Sequence, residues 1–112
     1  RGAVNVLDAA RNAKPAGPVP VVYASSAAVY GDNPAVPLVE DAEKRPLTAY
    51  GADKLGCEQH ARVAGNVHDV PTTGFRFFNI YGPRQDPGSP YSGVISIFAD
   101  RLASGKSATN FR

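Results

Sequence analysis

The run Val19-Pro20-Val21-Val22-Tyr23-Ala24-Ser25 is short, apolar and rich in β-branched residues. A run of this kind predicts a buried strand, in which Pro20 is tolerated only near the start. Because the apolar residues are consecutive rather than alternating, the pattern favours a parallel sheet that is covered on both faces. A second strand, with several aromatic residues, is predicted from Thr72 to Ile80.

Helical patterns flank both predicted strands. Apolar residues recur at helical spacing in three segments, 2–13, 47–64 and 94–104. The second of these is expected to end at Gly65-Asn66. Strands that alternate with helices predict right-handed crossovers and a parallel sheet. The fold class is therefore α/β, part of a doubly wound, Rossmann-type sheet with two parallel strands.

Composition narrows the class of protein. The 112 residues are 43% hydrophobic and 20% charged, with a net charge of +2, which is ordinary for one soluble globular domain. The basic residues are scattered, so a nucleic-acid surface is not expected. Cys57 is the only cysteine, which fits a reducing compartment. Neither a membrane span nor a signal peptide is indicated. The chain opens at Arg1 within a predicted helix, so we expect a fragment of a longer protein.

Polar residues are predicted to gather at the carboxyl ends of the two strands, where ligands bind in parallel α/β sheets. Ser25-Ser26 follows the first strand, Asn79 follows the second, and the helix with Tyr50 and Lys54 begins near the same edge. Tyr50 and Lys54 are four residues apart and share a helix face. Because a nearby cation favours the phenolate, the two are candidates for proton transfer. The alternative is an ordinary packed ring beside a solvated ammonium.

Other polar residues have simpler explanations. Asp53 and Glu58 are expected to be exposed or paired with an arginine. His60 and His68 have no cysteine or carboxylate at ligand spacing, so no metal site is expected.

Three motifs together resemble a known family. They are Ala24-Ser25-Ser26-Ala27-Ala28-Val29-Tyr30-Gly31, Tyr50-x-x-x-Lys54, and Arg76-Phe77-Phe78-Asn79-Ile80-Tyr81-Gly82-Pro83-Arg84. Their order and spacing resemble the extended short-chain dehydrogenase/reductase family, and most closely its NAD-dependent sugar-nucleotide epimerases of the UDP-glucose 4-epimerase type. The resemblance covers nearly the whole chain, from about Gly2 to Lys106.

The resemblance implies a role for each matched residue. Ser26 would hydrogen-bond the reacting sugar hydroxyl, and Tyr50 would take its proton while a hydride passes from the sugar to nicotinamide. Lys54 would hold the nicotinamide ribose and favour the Tyr50 phenolate. The remaining implied contacts are to the cofactor from Ser25, Phe77 and Phe78, and to the nucleotide sugar from Asn79 and Arg84. Arg84 is equally compatible with a plain surface guanidinium.

Departures from the family pattern qualify these expectations. The Gly-rich G-x-x-G-x-x-G turn that cradles the cofactor pyrophosphate is not in this sequence. The isolated chain, a partial domain over residues 1–112, is therefore expected to be inactive and to retain no NAD. Dehydratases of the same fold have an acidic pair where this chain has Ala27 and Ala28, which argues against dehydration.

Three functional interpretations stay open. The first is a fragment of a cytoplasmic, homodimeric 4-epimerase that acts on a nucleotide sugar, with UDP as the expected nucleotide. The second is a keto-sugar reductase, which uses the same serine, tyrosine and lysine. The third is a non-catalytic α/β module that self-associates through helices 2–13 and 47–64, which pack across a dimer interface in relatives, or through an open sheet edge.

Overall fold

The computed structural model describes residues 1–13, 15, 17–90 and 93–108. Its elements, in chain order, are α1 (Gly2–Arg11), β1 (Val21–Ser26), a 3₁₀ turn (Ala27–Val29), α2 (Ala49–His68), β2 (Thr72–Phe77) and α3 (Val94–Ala103). The chain divides into two compact units, Arg1–Phe78 and Asn79–Arg112. Within the described residues, none of the helices has the length and apolarity needed to span a bilayer.

The two strands pair in parallel, as predicted. The register runs from Val21 opposite Thr72 to Ser26 opposite Phe77. Both strands are shorter than their sequence patterns. The second was expected to reach Ile80 but ends at Phe77, because its pairing partner ends at Ser26 and leaves the later residues without a neighbouring strand.

One face of the sheet carries the core. Leu7 and Ala10 of α1, Ala64 of α2 and Val70 form a buried cluster, and Val21 of β1 packs against it. Both helices thus contribute to the same cluster. The expectation of a sheet covered on both faces is wrong for the described residues, because three apolar side chains of the other face are largely exposed: Val22 (69%), Phe75 (52%) and Phe77 (46%).

Helix α2 begins two residues later than the predicted segment 47–64 and also ends later. The Thr48 hydroxyl accepts a hydrogen bond from the Gly51 N–H at 3.0 Å and caps the first turn. The predicted end at Gly65-Asn66 is wrong, because the helix continues to His68. Asp69 then adopts a left-handed conformation with φ of 55°, and the Val70 N–H bonds the Ala64 carbonyl. This left-handed closure supplies N–H donors to carbonyls near the end of the helix. That role was expected for Gly65-Asn66.

The segment between β1 and α2 folds back on itself after the 3₁₀ turn. An ion pair of 3.2 Å joins Asp32 to Arg45, and the Asn33 amide donates to the Glu43 carbonyl. Gly31 has φ of +57°, and a Cβ at this position would lie 1.6 Å from the Arg45 carbonyl oxygen. Only glycine permits this backbone approach, which closes the loop.

The second unit contains α3, close to the predicted 94–104. Of the apolar side chains expected on one side of this helix, Phe98 is half-buried, whereas Ile95 and Leu102 are 50% and 66% exposed. The pattern therefore identified the helix, but its apolar side is only partly covered.

Candidate active site

Tyr50 and Lys54 lie on the first two turns of α2, on one face of the helix as predicted. The Lys54 ammonium is 5.7 Å from the centroid of the Tyr50 ring and donates a hydrogen bond of 2.9 Å to the Ala24 carbonyl at the end of β1. The Tyr50 ring is 57% exposed. The phenol is therefore accessible to a ligand, and a cation is anchored beside it by the sheet.

Ser26 ends β1 and caps the 3₁₀ turn that follows. Its Oγ accepts a hydrogen bond of 3.1 Å from the Ala28 N–H. A hydroxyl that accepts in this way keeps its own proton and a second lone pair for another partner. Its capping role and the predicted contact with a sugar hydroxyl are therefore compatible.

A glycine brings the Ser26 turn and the Tyr50 helix together. Gly51 is buried, and a Cβ at this position would lie 2.6 Å from the Ala28 carbonyl oxygen. The first turn of α2 thus packs directly against the turn that Ser26 caps. The structure therefore brings the elements that carry Ser26, Tyr50 and Lys54 to one place, at the carboxyl end of β1.

Ser25 points to the opposite side of β1 from Ser26, because successive strand residues face opposite ways. Ser25 is 3% exposed, and its hydroxyl donates a short hydrogen bond to Glu58 Oε1. This hydroxyl is committed to an internal partner. The predicted cofactor contact at Ser25 stays a prediction, made by a residue whose hydroxyl is buried and bound to Glu58.

Glu58 is the centre of a polar cluster whose full set of partners the sequence patterns did not reveal. Arg76 of β2 binds it through two hydrogen bonds of 2.8 Å, from Nε to Oε1 and from Nη2 to Oε2. The two side chains are 14% and 20% exposed. The hydrogen bond from Arg76, with a smaller contribution from Ser25, lowers the pKa of Glu58 and outweighs its burial. Glu58 therefore stays ionised although it is largely covered.

The Arg76 guanidinium extends this cluster to the loop after Ser26. Its Nη1 donates to the Tyr30 hydroxyl at 2.7 Å and to the Glu40 carbonyl at 2.6 Å, and its Cζ lies 5.0 Å from the centre of the Tyr30 ring. Tyr30 itself is 4% exposed. The hydrogen bonds that Arg76 donates to Glu58 and Tyr30 raise the pKa of Arg76 above its ordinary value.

The sequence carried a partial signal for this cluster. Glu58 follows Lys54 by four residues and so shares its helix face, and Arg76 stands between two phenylalanines inside a predicted strand. Charged side chains are rarely buried without a partner of opposite charge, so a charged residue on each of two inward-facing elements suggests an ion pair. Of the two alternatives expected for Glu58, pairing with an arginine is confirmed.

The remaining predicted site residues lie at or beyond the end of β2. Phe77 is opposite Ser26 in the strand register, and the Phe78 ring is 58% exposed with its centroid 6.2 Å from that of Tyr30. Asn79 and Arg84 belong to the second unit and are exposed. Arg84 has a positive φ of 69°. The structure therefore places Phe77 beside the Ser26 end of the sheet and leaves the roles of Asn79 and Arg84 as predictions.

The residues present fit one end of a nicotinamide dinucleotide. An ammonium has three donors, and Lys54 uses one on the Ala24 carbonyl, so two can reach ribose hydroxyls. Exposed aromatic residues stand at the same end of the sheet. For the pyrophosphate, the 112 residues offer no Gly-rich turn. No cluster of three metal-ligating side chains occurs among the residues that the structure describes.

The family of the chain emerges from comparisons with known proteins. The model of the NAD dependent epimerase/dehydratase family matches residues 1–112. The chain is 37% identical over 111 residues to a UDP-glucose 4-epimerase of Mycolicibacterium smegmatis, which covers 98% of this chain and 34% of that protein. It is 39% identical over 106 residues to a probable UDP-glucuronate 4-epimerase of Rhizobium meliloti, covering 94% and 29%.

Solved structures agree with these relatives. A UDP-N-acetylglucosamine 4-epimerase of Methanobrevibacter ruminantium, in complex with UDP-N-acetylmuramic acid, superposes with a TM-score of 0.82 at 34% identity, covering 94% of this chain and 33% of that one. A UDP-glucose 4-epimerase of Thermus thermophilus in complex with NAD gives a TM-score of 0.75 at 36% identity, with 94% and 33% covered. The chain spans about a quarter to a third of the length of the curated relatives it matches.

Proposed function

The chain belongs to the NAD dependent epimerase/dehydratase family, and we propose that it supplies the catalytic segment of an NAD-dependent 4-epimerase acting on a UDP-linked sugar. The observation that carries this proposal is the exposed Tyr50 phenol beside Lys54, which the Ala24 carbonyl anchors next to the turn capped by Ser26. The names of the relatives, UDP-glucose and UDP-glucuronate 4-epimerases, support the substrate class.

The side chains of this segment divide the chemistry between them. When bound, NAD would supply the nicotinamide that accepts a hydride from the sugar and returns it. Tyr50 accepts the proton of the reacting hydroxyl, as a general base positioned in the site can. Ser26 holds that hydroxyl by a hydrogen bond, and Lys54, which uses one of its three donors on the Ala24 carbonyl, would hold the nicotinamide ribose with the others. On the way back Tyr50 returns the proton to the re-formed hydroxyl.

The other predicted contacts are part of the same proposal. The backbone around Phe77 and Phe78 would lie against the nicotinamide, and Asn79 and Arg84 would bind the nucleotide portion of the substrate. Ser25 takes part through its backbone, because its hydroxyl is bound to Glu58.

We also propose the wider setting of the segment. Residues 1–112 form part of one dinucleotide-binding domain of a cytoplasmic homodimer, and the chain alone retains no NAD. The lone cysteine, Cys57, supports a reducing compartment. Exposed valines on the two helices support an interface there, since Val6, Val63 and Val67 are 55%, 52% and 66% exposed.

Two other functions are alternatives to this proposal. A keto-sugar reductase would use the same Ser26, Tyr50 and Lys54, but it would consume reduced cofactor in each turnover. A self-associating module without catalysis is favoured by the apolar face of the sheet, where Val22, Phe75 and Phe77 are exposed to solvent.

The proposal is tested in a chimera in which residues 1–112 replace the matching third of the Mycolicibacterium smegmatis relative. We expect the chimera to bind NAD and to interconvert UDP-glucose and UDP-galactose without net change in cofactor. Tyr50→Phe should lower kcat by about 10²- to 10⁴-fold, the usual contribution of a general base. Product chromatography measures turnover, and denaturation followed by a nicotinamide assay measures bound NAD.

The matched control is Tyr81→Phe, which removes the hydroxyl of a tyrosine that is 70% exposed and should leave kcat unchanged. An NAD-loaded chimera that is inactive on UDP-glucose, UDP-glucuronate and UDP-N-acetylglucosamine contradicts the proposal. So does a Tyr50→Phe variant with full activity. Net oxidation of NADH with a 4-keto sugar would favour the reductase instead.

A further inference from the structure

We propose that Glu58 is a positioning residue for this reaction, which holds the Ser26 end of β1 in register with the Tyr50–Lys54 face of α2. This inference rests on the proposed function and adds to it a residue that does not touch the substrate. Glu58 lies four residues after Lys54 and eight after Tyr50, so all three share one side of α2. Its side chain is only 14% exposed.

The first step of the argument is where Glu58 attaches to β1. Its Oε1 accepts the hydrogen bond of the Ser25 hydroxyl, while Lys54 donates to the carbonyl of Ala24. Two successive residues of β1 are thus bound to two successive turns of α2, immediately before Ser26. Since Ser25 and Ser26 are consecutive in an extended strand, fixing the first sets the direction of the second.

The second step is the link through Arg76. The Arg76 guanidinium donates hydrogen bonds to both carboxylate oxygens of Glu58. Its Nη1 also donates to the Tyr30 hydroxyl and to the Glu40 carbonyl. The loop that leaves Ser26 is therefore tied to the same carboxylate as the strand that precedes it. Bidentate pairs between arginine and carboxylate are strong and specific in geometry.

The third step is why the position requires a carboxylate. Both oxygens of Glu58 accept hydrogen bonds, from the Arg76 guanidinium and the Ser25 hydroxyl. In a glutamine, an NH₂ group would replace one of these oxygens and would place a donor opposite a donor. The guanidinium would then lose one of its two bonds and rotate away from Tyr30 and Glu40. A displacement of about 1 Å in a catalytic constellation can cost about 10²-fold in rate.

The test compares Glu58→Gln with Asp53→Asn in the active chimera. Asp53 lies on the same helix with an exposed carboxylate, so its variant removes the same charge without touching the cluster. We expect Glu58→Gln to lower kcat by at least about 10-fold, with KM for UDP-glucose within about 3-fold and NAD content unchanged. Asp53→Asn should match the parent. Equal kcat values for Glu58→Gln and the parent would overturn the inference.

Amide hydrogen exchange on the 112-residue chain supplies a readout that does not depend on turnover. Glu58→Gln should speed exchange at residues 24–30 by more than any change in α1 and the core of α2, where exchange follows the overall stability. Exchange at residues 24–30 that matches the parent overturns the positioning role, and so does a rise there that is no larger than the rise across both helices. An inactive parent chimera would instead count against the proposed function.

Discussion

At the scale of single residues, Glu58 shows how a charge can be kept inside this chain. Arg76 and Ser25 supply three donors to its carboxylate, which offsets the cost of removing it from water. Leaving either partner of such a pair alone is expensive, because an uncompensated charge would then remain covered.

The lowered pKa of Glu58 predicts a pH dependence of stability. A depressed carboxyl pKa stabilises the fold above the ordinary glutamate value of about 4.3, and this contribution is lost as pH falls through the folded-state pKa. We expect Glu58→Gln to reduce the free energy of unfolding by about 1–3 kcal/mol at pH 7. The deficit should shrink as the pH falls below about 4.3, as measured by urea unfolding.

Asp53→Asn again serves as the control and should follow the parent at every pH, because its carboxylate is exposed. A deficit for Glu58→Gln that stays constant from neutral to acid pH would show that the ionised carboxylate contributes nothing to stability.

At the scale of elements, the contact between α2 and the 3₁₀ turn depends on Gly51. A Cβ there would meet the Ala28 carbonyl oxygen at 2.6 Å and the Pro46 Cβ at 3.2 Å. Neither neighbour is the end of a flexible side chain, so the elements themselves would have to separate. This contact sets how closely the Tyr50 helix approaches the Ser26 turn.

Alanine substitutions at two glycines of α2 should therefore change the free energy of unfolding in opposite directions. Gly51→Ala should lower the free energy of unfolding by about 1–3 kcal/mol, because crowding outweighs the helical preference of alanine. Gly56→Ala, on the same helix with nothing within 4 Å of its added Cβ, should raise stability by about 0.5–1 kcal/mol. Urea midpoints with matched m-values measure both, and stabilisation by Gly51→Ala would disprove the close approach.

At the scale of the whole molecule, exposed apolar side chains favour self-association. Val63 and Val67 lie one turn apart on α2, and Val22 stands on the uncovered face of the sheet. We expect light scattering of the 112-residue chain to report a dimer, formed through the helices. The double variant Val63→Glu, Val67→Glu should dissociate it, because two charges would be brought into an apolar contact.

Val22→Lys is the comparison variant, since it places one charge on the sheet face instead. If Val22→Lys alone gives a monomer, the chain associates through its open sheet and not through α2. A folded parent that is monomeric at all concentrations would contradict the dimer.

The sequence by itself determined the order of the elements, the parallel pairing, and the motifs that carry Ser26, Tyr50 and Lys54, because periodicity and chemical spacing are local properties of a chain. It misjudged the end of α2, since the left-handed closure at Asp69 depends on Val70 entering the core. It also missed the exposed sheet face, because a run of apolar residues does not say which neighbours cover it. Only the tertiary structure joined Glu58 to Ser25 and Arg76, residues 33 and 18 positions away. Hydrogen bonds between such distant residues depend on how helix and strands pack, and no local pattern records that.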